Sequence, residues 1–193
     1  MRSSKVSQGD FGVSISRNNS TPAYLIPDTY APFFCMKNGD TYSITVENRG
    51  PTKCDAKISI DGEVIGAWRV YSRGTNTIYC PLDIDRCLVF KKGSEFNCKE
   101  TSDGSYPTSG KISIEFFPEL GTTADVSVPY SLQYPVNLGG SNGSAYDIDC
   151  SKYGTGTTIL GDTFHGTKSR VAFITNVDES RKQTIDVYLV EEY

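Results

Sequence analysis

The stretch KISIDGEVIGAW, which runs from Lys57 to Trp68, decides the fold of this chain. It places the dipeptide Asp61-Gly62 between two runs in which apolar and polar residues alternate. Alternation is typical of a β-strand with one buried face, because successive side chains of a strand point to opposite sides. A two-residue Asp-Gly loop favours a type I′ turn, whose twist matches that of paired strands. The stretch therefore predicts a β-hairpin.

The turn also determines which side chains face each other across the hairpin. With Ile60 opposite Glu63, the register pairs Ile58 with Ile65 on one face, where they form part of a core wall. A slip of one residue would turn this wall toward solvent, so the turn sets the register. The same register puts Trp68 on the opposite face. We expect a structural role for it there, covering a sheet edge, with a subunit interface as the alternative.

Alternation recurs along the rest of the chain, and helical periodicity is nearly missing. The clearest strands are TYSITVEN (41–48), KISIEFF (111–117) and TIDVYLVEEY (184–193), and further candidates are FGVSIS (11–16), RCLVFKK (86–92) and RVAFIT (170–175). Clusters of Gly, Pro, Asn, Asp and Ser separate these runs, and such residues favour turns. The sequence therefore predicts an all-β protein, an antiparallel β-sandwich.

Length and composition suit one such sandwich. Of the 193 residues, 37% are hydrophobic and 22% are charged, which is enough for a core and unlike a disordered chain. The formal net charge of −4 argues against a nucleic-acid binder, which needs a basic footprint. No apolar run is long enough to span a membrane. The polar region 137–162 is interpreted as a surface excursion between two strands of the same domain.

The six cysteines have no C-x-x-C pair of the kind that zinc ribbons and thioredoxin-like sites use. They are Cys35, Cys54, Cys80, Cys87, Cys98 and Cys150. Residues 1–19 have a basic end but no apolar run, so we expect no cleavable secretory signal and synthesis in a reducing compartment. Most of the cysteines are then expected to be buried thiols. A pair that the fold brings together could oxidise after release into the medium, and the sequence leaves the pairing open.

Few residues could support catalysis. His165 is the only histidine, so any Ser-His-Asp or Cys-His arrangement would have to use it. It lies in a Gly- and Thr-rich loop and no G-x-S-x-G elbow supplies a nucleophile, so we expect an exposed bystander. The segment GTGTTILGD (154–162) has glycines like a phosphate-binding loop, but no Lys-Ser or Lys-Thr follows them and strand residues do. No catalytic residue and no cofactor are predicted.

Two D-x-D pairs are the remaining candidates for a site, Asp83 with Asp85 and Asp147 with Asp149. Paired carboxylates can bind calcium or share acid–base work. Neither pair continues into an EF-hand pattern, and residues two apart on a strand share its polar face. We predict no metal site, with calcium at Asp147 and Asp149 as the minority alternative.

Three segments occur in an order that resembles a known group of proteins. They are KISIDGEVIGAWRV (57–70), NTIYCPLDIDRCLVFKKGSE (76–95), and GTGTTILGDTFHGTKSRVAFI (154–174) with the terminal strand QTIDVYLVEEY (183–193). The order is similar to that of single jelly-roll proteins of large icosahedral DNA viruses and of algal relatives of their sequences. Within that group, the chain most resembles the penton (vertex) or minor capsid protein of a chlorella-virus-like particle.

The resemblance implies a single jelly roll of about eight strands in residues 40–193, preceded in residues 1–39 by an arm or an extra strand. It implies a structural capsid protein of the virion, assembled in the host cytoplasm and without enzymatic activity. Five copies would close a ring through heterologous contacts, giving a homopentamer. The neighbouring major and minor capsid proteins are its other expected partners. Contact with nucleic acid and a direct membrane span are not expected.

A jelly-roll lectin or cell-attachment module is the alternative from a different class, because it would share the same sandwich. Such a module would bind glycans, with calcium at Asp147 and Asp149. A cupin-type metalloenzyme is disfavoured, because its His-rich metal set cannot be built from one histidine.

Overall fold

The structure, a computed structural model, describes residues 4–18, 21–26, 32–93, 109–121, 156–166 and 171–192. The strands in these ranges are β1 (Lys5–Gln8), β2 (Phe11–Arg17), β3 (Thr21–Pro22), β4 (Tyr24–Ile26), β5 (Phe33–Met36), β6 (Thr41–Asn48), β7 (Cys54–Ile60), β8 (Glu63–Val70), β9 (Gly74–Ile78), β10 (Arg86–Lys92), β11 (Lys111–Pro118), β12 (Gly156–Thr163) and β13 (Gln183–Glu191). A single turn of 3-10 helix, Glu179–Arg181, precedes β13. Within the described ranges, no helix has the length and apolar character needed to cross a membrane.

The strands form two sheets that face each other, which confirms the predicted all-β antiparallel sandwich. Sheet A has the order β1-β2-β6-β10-β12, with β3 paired to β2 and β9 paired to β6. Sheet B has the order β4-β5-β13-β11-β7-β8. The paired strands of the described residues are antiparallel, except that β13 runs parallel to β5. The described residues contain more strands than the eight or so expected, and several of these strands are short.

The core lies between the sheets and comes from every second residue of the long strands, as the alternation predicts. The inward side chains are Tyr42, Ile44 and Val46 in β6, Ile112, Ile114 and Phe116 in β11, and Ile185, Val187 and Leu189 in β13; each is at most 3% exposed. Phe11 of sheet A stacks on Phe116 of sheet B, with ring centroids 4.4 Å apart. Burial of each such side chain stabilises the fold by roughly 1.5–3 kcal/mol.

The residues before Asp40 contribute more than the arm or extra strand expected there. They supply β1 to β5, with β2 between β1 and β6 and β5 between β4 and β13. The strand β5, FFCM, is buried on both faces, since a second apolar cluster covers its outer side. That cluster consists of Ile26, Phe33, Cys35, Tyr188 and Val190. A strand buried on both faces is a continuous apolar run, and alternation does not detect it.

The hairpin turn has the predicted geometry. Asp61 and Gly62 have φ angles of 51° and 87°, and a type I′ turn requires positive φ at both central residues. Ile60 lies opposite Glu63, as predicted. The register then shifts by one residue, so that Ile58 faces Gly66 rather than Ile65.

This shift is a β-bulge, and it corrects the expected position of Trp68. Trp68 lies opposite Ala56 and packs against the core, not on the outer face. Gly66 makes the bulge possible, because its φ of 148° is one that L side chains rarely adopt. A Cβ at Gly66 would come within 2.7 Å of the Trp68 ring and 2.8 Å of the Leu82 Cβ. A glycine inside a strand often marks a bulge, and here it was the available signal in the sequence.

We expect Gly66→Ala to destabilise the protein by roughly 3 kcal/mol, since the backbone strain adds to the displacement of Trp68. Gly62→Ala is the matched control. It also introduces a side chain at positive φ, but no atom lies within 4 Å of its Cβ position, so about 1 kcal/mol is expected. Urea unfolding measures both losses. Trp68 is the only tryptophan, so its emission should shift in Gly66→Ala alone, and equal losses with unchanged emission would contradict this account of the bulge.

Candidate functional site

The structure places the residues singled out for catalysis on the surface. His165 is exposed just after β12, as expected for a bystander. Asp83 and Asp85 are exposed in the loop between β9 and β10, not on a strand face. In the ranges that the structure describes, no three or more His, Cys, Asp or Glu side chains form a group that could hold a metal ion. Asp147 and Asp149, the alternative calcium pair, lie outside those ranges.

Residues 156–162 of the glycine-rich segment lie in a strand, as expected, and this strand, β12, begins at Gly156. Its first residues contact the hairpin turn of the opposite sheet. The Asp61 carboxylate accepts hydrogen bonds from the Thr158 backbone N–H at 2.9 Å, the Thr157 hydroxyl at 2.7 Å and the Gly110 N–H at 2.6 Å. Asp61 is therefore both a turn residue and a link between the two sheets.

A buried tyrosine extends this link into the core. The Tyr42 hydroxyl and the Thr158 Oγ1 lie 2.6 Å apart and share a hydrogen bond. Burial raises the pKa of Tyr42, and the negative charge of Asp61 adds to the rise, so the phenol stays protonated. The network formed by Asp61, Thr158 and Tyr42 thus joins the two sheets.

The bulge in β8 produces a second polar contact at the other end of this strand. In the shifted register Asp55 lies opposite Arg69, whereas without the bulge it would lie opposite Trp68. The Arg69 Nε donates to Asp55 at 2.5 Å, and this hydrogen bond is the main reason why the pKa of Arg69 is raised. Asp55 is only 2% exposed. A charge so buried is tolerated only with partners of this kind.

The buried ion pair fixes a segment that the sequence analysis interpreted as a strand. Residues 171–174 form no strand, so that interpretation of RVAFIT is wrong. Instead, the Ile174 N–H donates to Asp55 at 2.6 Å and the Ala172 carbonyl accepts from Arg69 at 2.7 Å. The segment therefore lies across the outer face of sheet B, held by side chains rather than by a backbone ladder.

Apolar side chains surround this segment and remain exposed. We call this surface the Phe173 patch, and its members are Tyr71 (66% exposed), Leu120 (47%), Val171 (48%) and Phe173 (45%). The Phe173 ring makes an edge contact with the Phe117 ring of β11, with centroids 5.2 Å apart. The Lys182 ammonium lies over the Phe117 ring, 4.7 Å from its centroid. Leu120 is tied to the same segment, because its N–H donates to the Asn176 carbonyl at 2.8 Å. Exposed apolar clusters of this kind favour association with other molecules.

A second apolar surface lies at the start of β8. We call it the Val64 surface; it comprises Val64 (59% exposed) and Ile84 (42%). The loop that carries Ile84 docks on the residue after Val64, because the Leu82 N–H donates to the Ile65 carbonyl at 2.9 Å. Val64 and Tyr71 are separated by about seven residues of extended chain, so the Val64 surface and the Phe173 patch lie roughly 20 Å apart.

None of these contacts was predicted from the sequence. In the register predicted without the bulge, Asp55 lies opposite Trp68 rather than Arg69, so the pair could not be predicted from the hairpin. Only the bulge and the segment 171–174 bury the pair, and the glycine at position 66 was the one local signal. No family model, curated protein or solved structure was found to match the chain.

We expect Asp55→Ala to destabilise the protein by roughly 3–5 kcal/mol, because it leaves the Arg69 guanidinium and the Ile174 N–H without their buried acceptor. Glu115→Ala is the matched control. It removes the carboxylate from the half-exposed Lys57–Glu115 pair on the same face of the sheet, where about 0–1 kcal/mol is expected. Denaturant unfolding measures both. The double variant Asp55→Leu/Arg69→Met should recover part of the loss, and a single variant no worse than the control would contradict the role of the pair.

We expect Asp61→Asn to cost about 2 kcal/mol, because asparagine tolerates positive φ but presents an NH2 group where the carboxylate accepts hydrogen bonds. Asp162→Asn changes the same charge at an exposed position of β12 and should alter stability by less than about 0.5 kcal/mol. Thermal unfolding gives both values. Hydrogen exchange at the Thr158 amide should accelerate in Asp61→Asn only, and equal exchange in the two variants would count against the link.

Proposed function

We propose that this chain is a structural subunit of a protein shell, a single jelly-roll capsid protein of a large icosahedral DNA virus that forms the five-fold vertex. The observation that carries the proposal is the presence of two separate exposed apolar surfaces, the Phe173 patch and the Val64 surface, on one rigid sandwich. A ring of identical subunits joins different patches of neighbouring copies, so each subunit needs two such surfaces.

The path of the chain supports the jelly-roll part of the proposal. After Asp40 the chain passes repeatedly from one sheet to the other: β6 is in sheet A, β7 and β8 in sheet B, β9 and β10 in sheet A, β11 in sheet B, β12 in sheet A and β13 in sheet B. A jelly roll wraps its strands between two sheets in this general manner. The motif order noted in the sequence supports the same assignment.

The contacts that hold the two apolar surfaces in place support a structural role. A shell subunit must hold its contact surfaces in fixed relative positions, since small angular errors accumulate around a ring. The Phe173 patch is fixed by the buried pair of Asp55 and Arg69, and the Val64 surface by the hairpin and the loop that docks on Ile65. Both surfaces are thus held by contacts to β8, through Arg69 and Ile65, and the position of β8 is set by its ladder with β7.

Light scattering coupled to size exclusion tests the proposal on the purified chain. We expect a closed ring of five copies, and we expect Phe173→Glu and Val64→Glu each to weaken association at least about tenfold, because each puts a charge into an apolar contact. Ile159→Glu is the matched control. Ile159 is 44% exposed but belongs to β12 of sheet A, outside both surfaces, so its substitution should leave the ring intact.

Two results would contradict the proposal. One is a chain that stays monomeric at every concentration reached and that mass spectrometry does not find in purified virus particles. The other is a ring that Ile159→Glu disrupts as strongly as Phe173→Glu does, since the apolar surfaces would then not be the contacts.

A further inference from the structure

The loop between β9 and β10 leaves sheet A and rejoins it at neighbouring positions along the same edge of β6. β9 pairs with Ile44 to Asn48 of β6, and β10 pairs with Thr41 and Tyr42 further along the same strand. Because β2 occupies the other side of β6, the two strands follow one another along a single edge. We call residues 79–87, which include the first two residues of β10, the Cys80 loop; they form an excursion from this edge between Ile78 and Leu88.

The neck of the Cys80 loop brings two cysteines together. The Leu88 N–H donates to the Tyr79 carbonyl at 3.1 Å, and Cys80 and Cys87 are the first residues inside the ring that this bond closes. The bond joins the peptide unit between Tyr79 and Cys80 to the one between Cys87 and Leu88, so the Cα atoms of the two cysteines flank it and lie roughly 5–6 Å apart. A disulfide spans Cα separations of about 4.4–6.8 Å. Both residues are thiols in the structure.

Cys87 is the most accessible of the described cysteines, since Cys35, Cys54 and Cys80 are all buried. Cys87 is half-buried and therefore partly accessible to solvent, whereas Cys80 is only 3% exposed. Burial raises the pKa of Cys35 to about 11 and that of Cys54 to about 12. These two thiols stay protonated near neutral pH, and the thiolate is the reactive form.

We propose that Cys80 and Cys87 form a disulfide when the protein meets an oxidising medium, and that this bond closes the neck of the Cys80 loop. The oxidant is a low-molecular-weight disulfide such as oxidised glutathione. The Cys87 thiolate attacks one of its sulfurs and releases one glutathione thiol, and the Cys80 thiolate then attacks the Cys87 sulfur and releases the second. Two protein thiols and one oxidised glutathione give one protein disulfide and two glutathione thiols.

The bond would act on both sheets, because the Cys80 loop bridges their edges. On one side, the Leu82 N–H donates to the Ile65 carbonyl of β8 in sheet B. On the other side, Arg86 donates to the Leu160 and Gly161 carbonyls of β12 in sheet A, each at 2.8 Å. A disulfide between Cys80 and Cys87 would restrict the unfolded loop and favour the hydrogen bonds that Leu82 and Arg86 make to the two sheets. The inference stands on this geometry alone and does not depend on the proposed function.

Peptide mapping tests the proposal directly, because trypsin cuts after Arg86, between the two cysteines. The full chain is equilibrated with oxidised glutathione, its remaining thiols are blocked with N-ethylmaleimide, and it is denatured and digested. We expect peptides 74–86 and 87–91 to appear linked and to separate on reduction. The melting temperature of the oxidised chain should exceed that of the reduced chain by about 5 °C, as expected for closing a loop of this length.

The controls distinguish this pair from the other cysteines. Cys87→Ser should abolish both the linked peptide and the dependence of melting temperature on glutathione, whereas the double variant Cys98→Ser/Cys150→Ser should retain both. If Cys80 in peptide 74–86 and Cys87 in peptide 87–91 both carry maleimide after the oxidation step, the two thiols did not pair and the proposal is overturned. A link from Cys80 to any cysteine other than Cys87 would overturn it as well.

Discussion

The structure depends on one extra residue in β8. The bulge at Gly66 shifts everything that follows by one position, and this shift turns Trp68 into the core and places Arg69 opposite Asp55. Without the shift, the large indole would face outward and the carboxylate of Asp55 would lie opposite an aromatic ring. The bulge in turn requires a backbone angle that L side chains rarely adopt. A local constraint at one glycine therefore determines both a wall of the core and the polar contact that organises the outer face of sheet B.

The pair of Asp55 and Arg69 specifies geometry more than it adds stability. Removing two charges from water costs several kcal/mol, and their attraction offsets this cost only when the remaining hydrogen-bonding positions are filled. Here the Ile174 N–H and the Ala172 carbonyl fill them. The segment 171–174 can therefore lie in one place only, the place where both ions are satisfied. The half-exposed pair of Lys57 and Glu115 on the same face imposes no comparable requirement, because water can replace either partner.

The sequence predicts the parts of this fold in which burial follows a simple period. The strands β6 and β11 and the first half of β13 show alternating burial, so alternation locates these strands, and the Asp-Gly turn sets the start of the hairpin. Prediction fails where another element changes the rule. The strand β5 is covered on both faces and shows no alternation. RVAFIT has a strand-like composition, but its backbone bonds to side chains of Asp55 and Arg69. The apolar surfaces were missed for the same reason, since they exist only once those long-range contacts form.

The edges of the two sheets bear on how such a subunit can associate. An open strand edge invites another strand and leads to uncontrolled growth. In this sandwich the Ile65 carbonyl of β8 is occupied by Leu82, and on β12 Asp61 accepts from the Thr158 N–H while Arg86 donates to two carbonyls. Internal partners thus take up backbone groups that a second chain could otherwise use. In the proposed shell subunit, association would therefore use side-chain surfaces such as the Phe173 patch. A fixed angle between neighbours permits a ring to close, whereas strand addition repeats without limit.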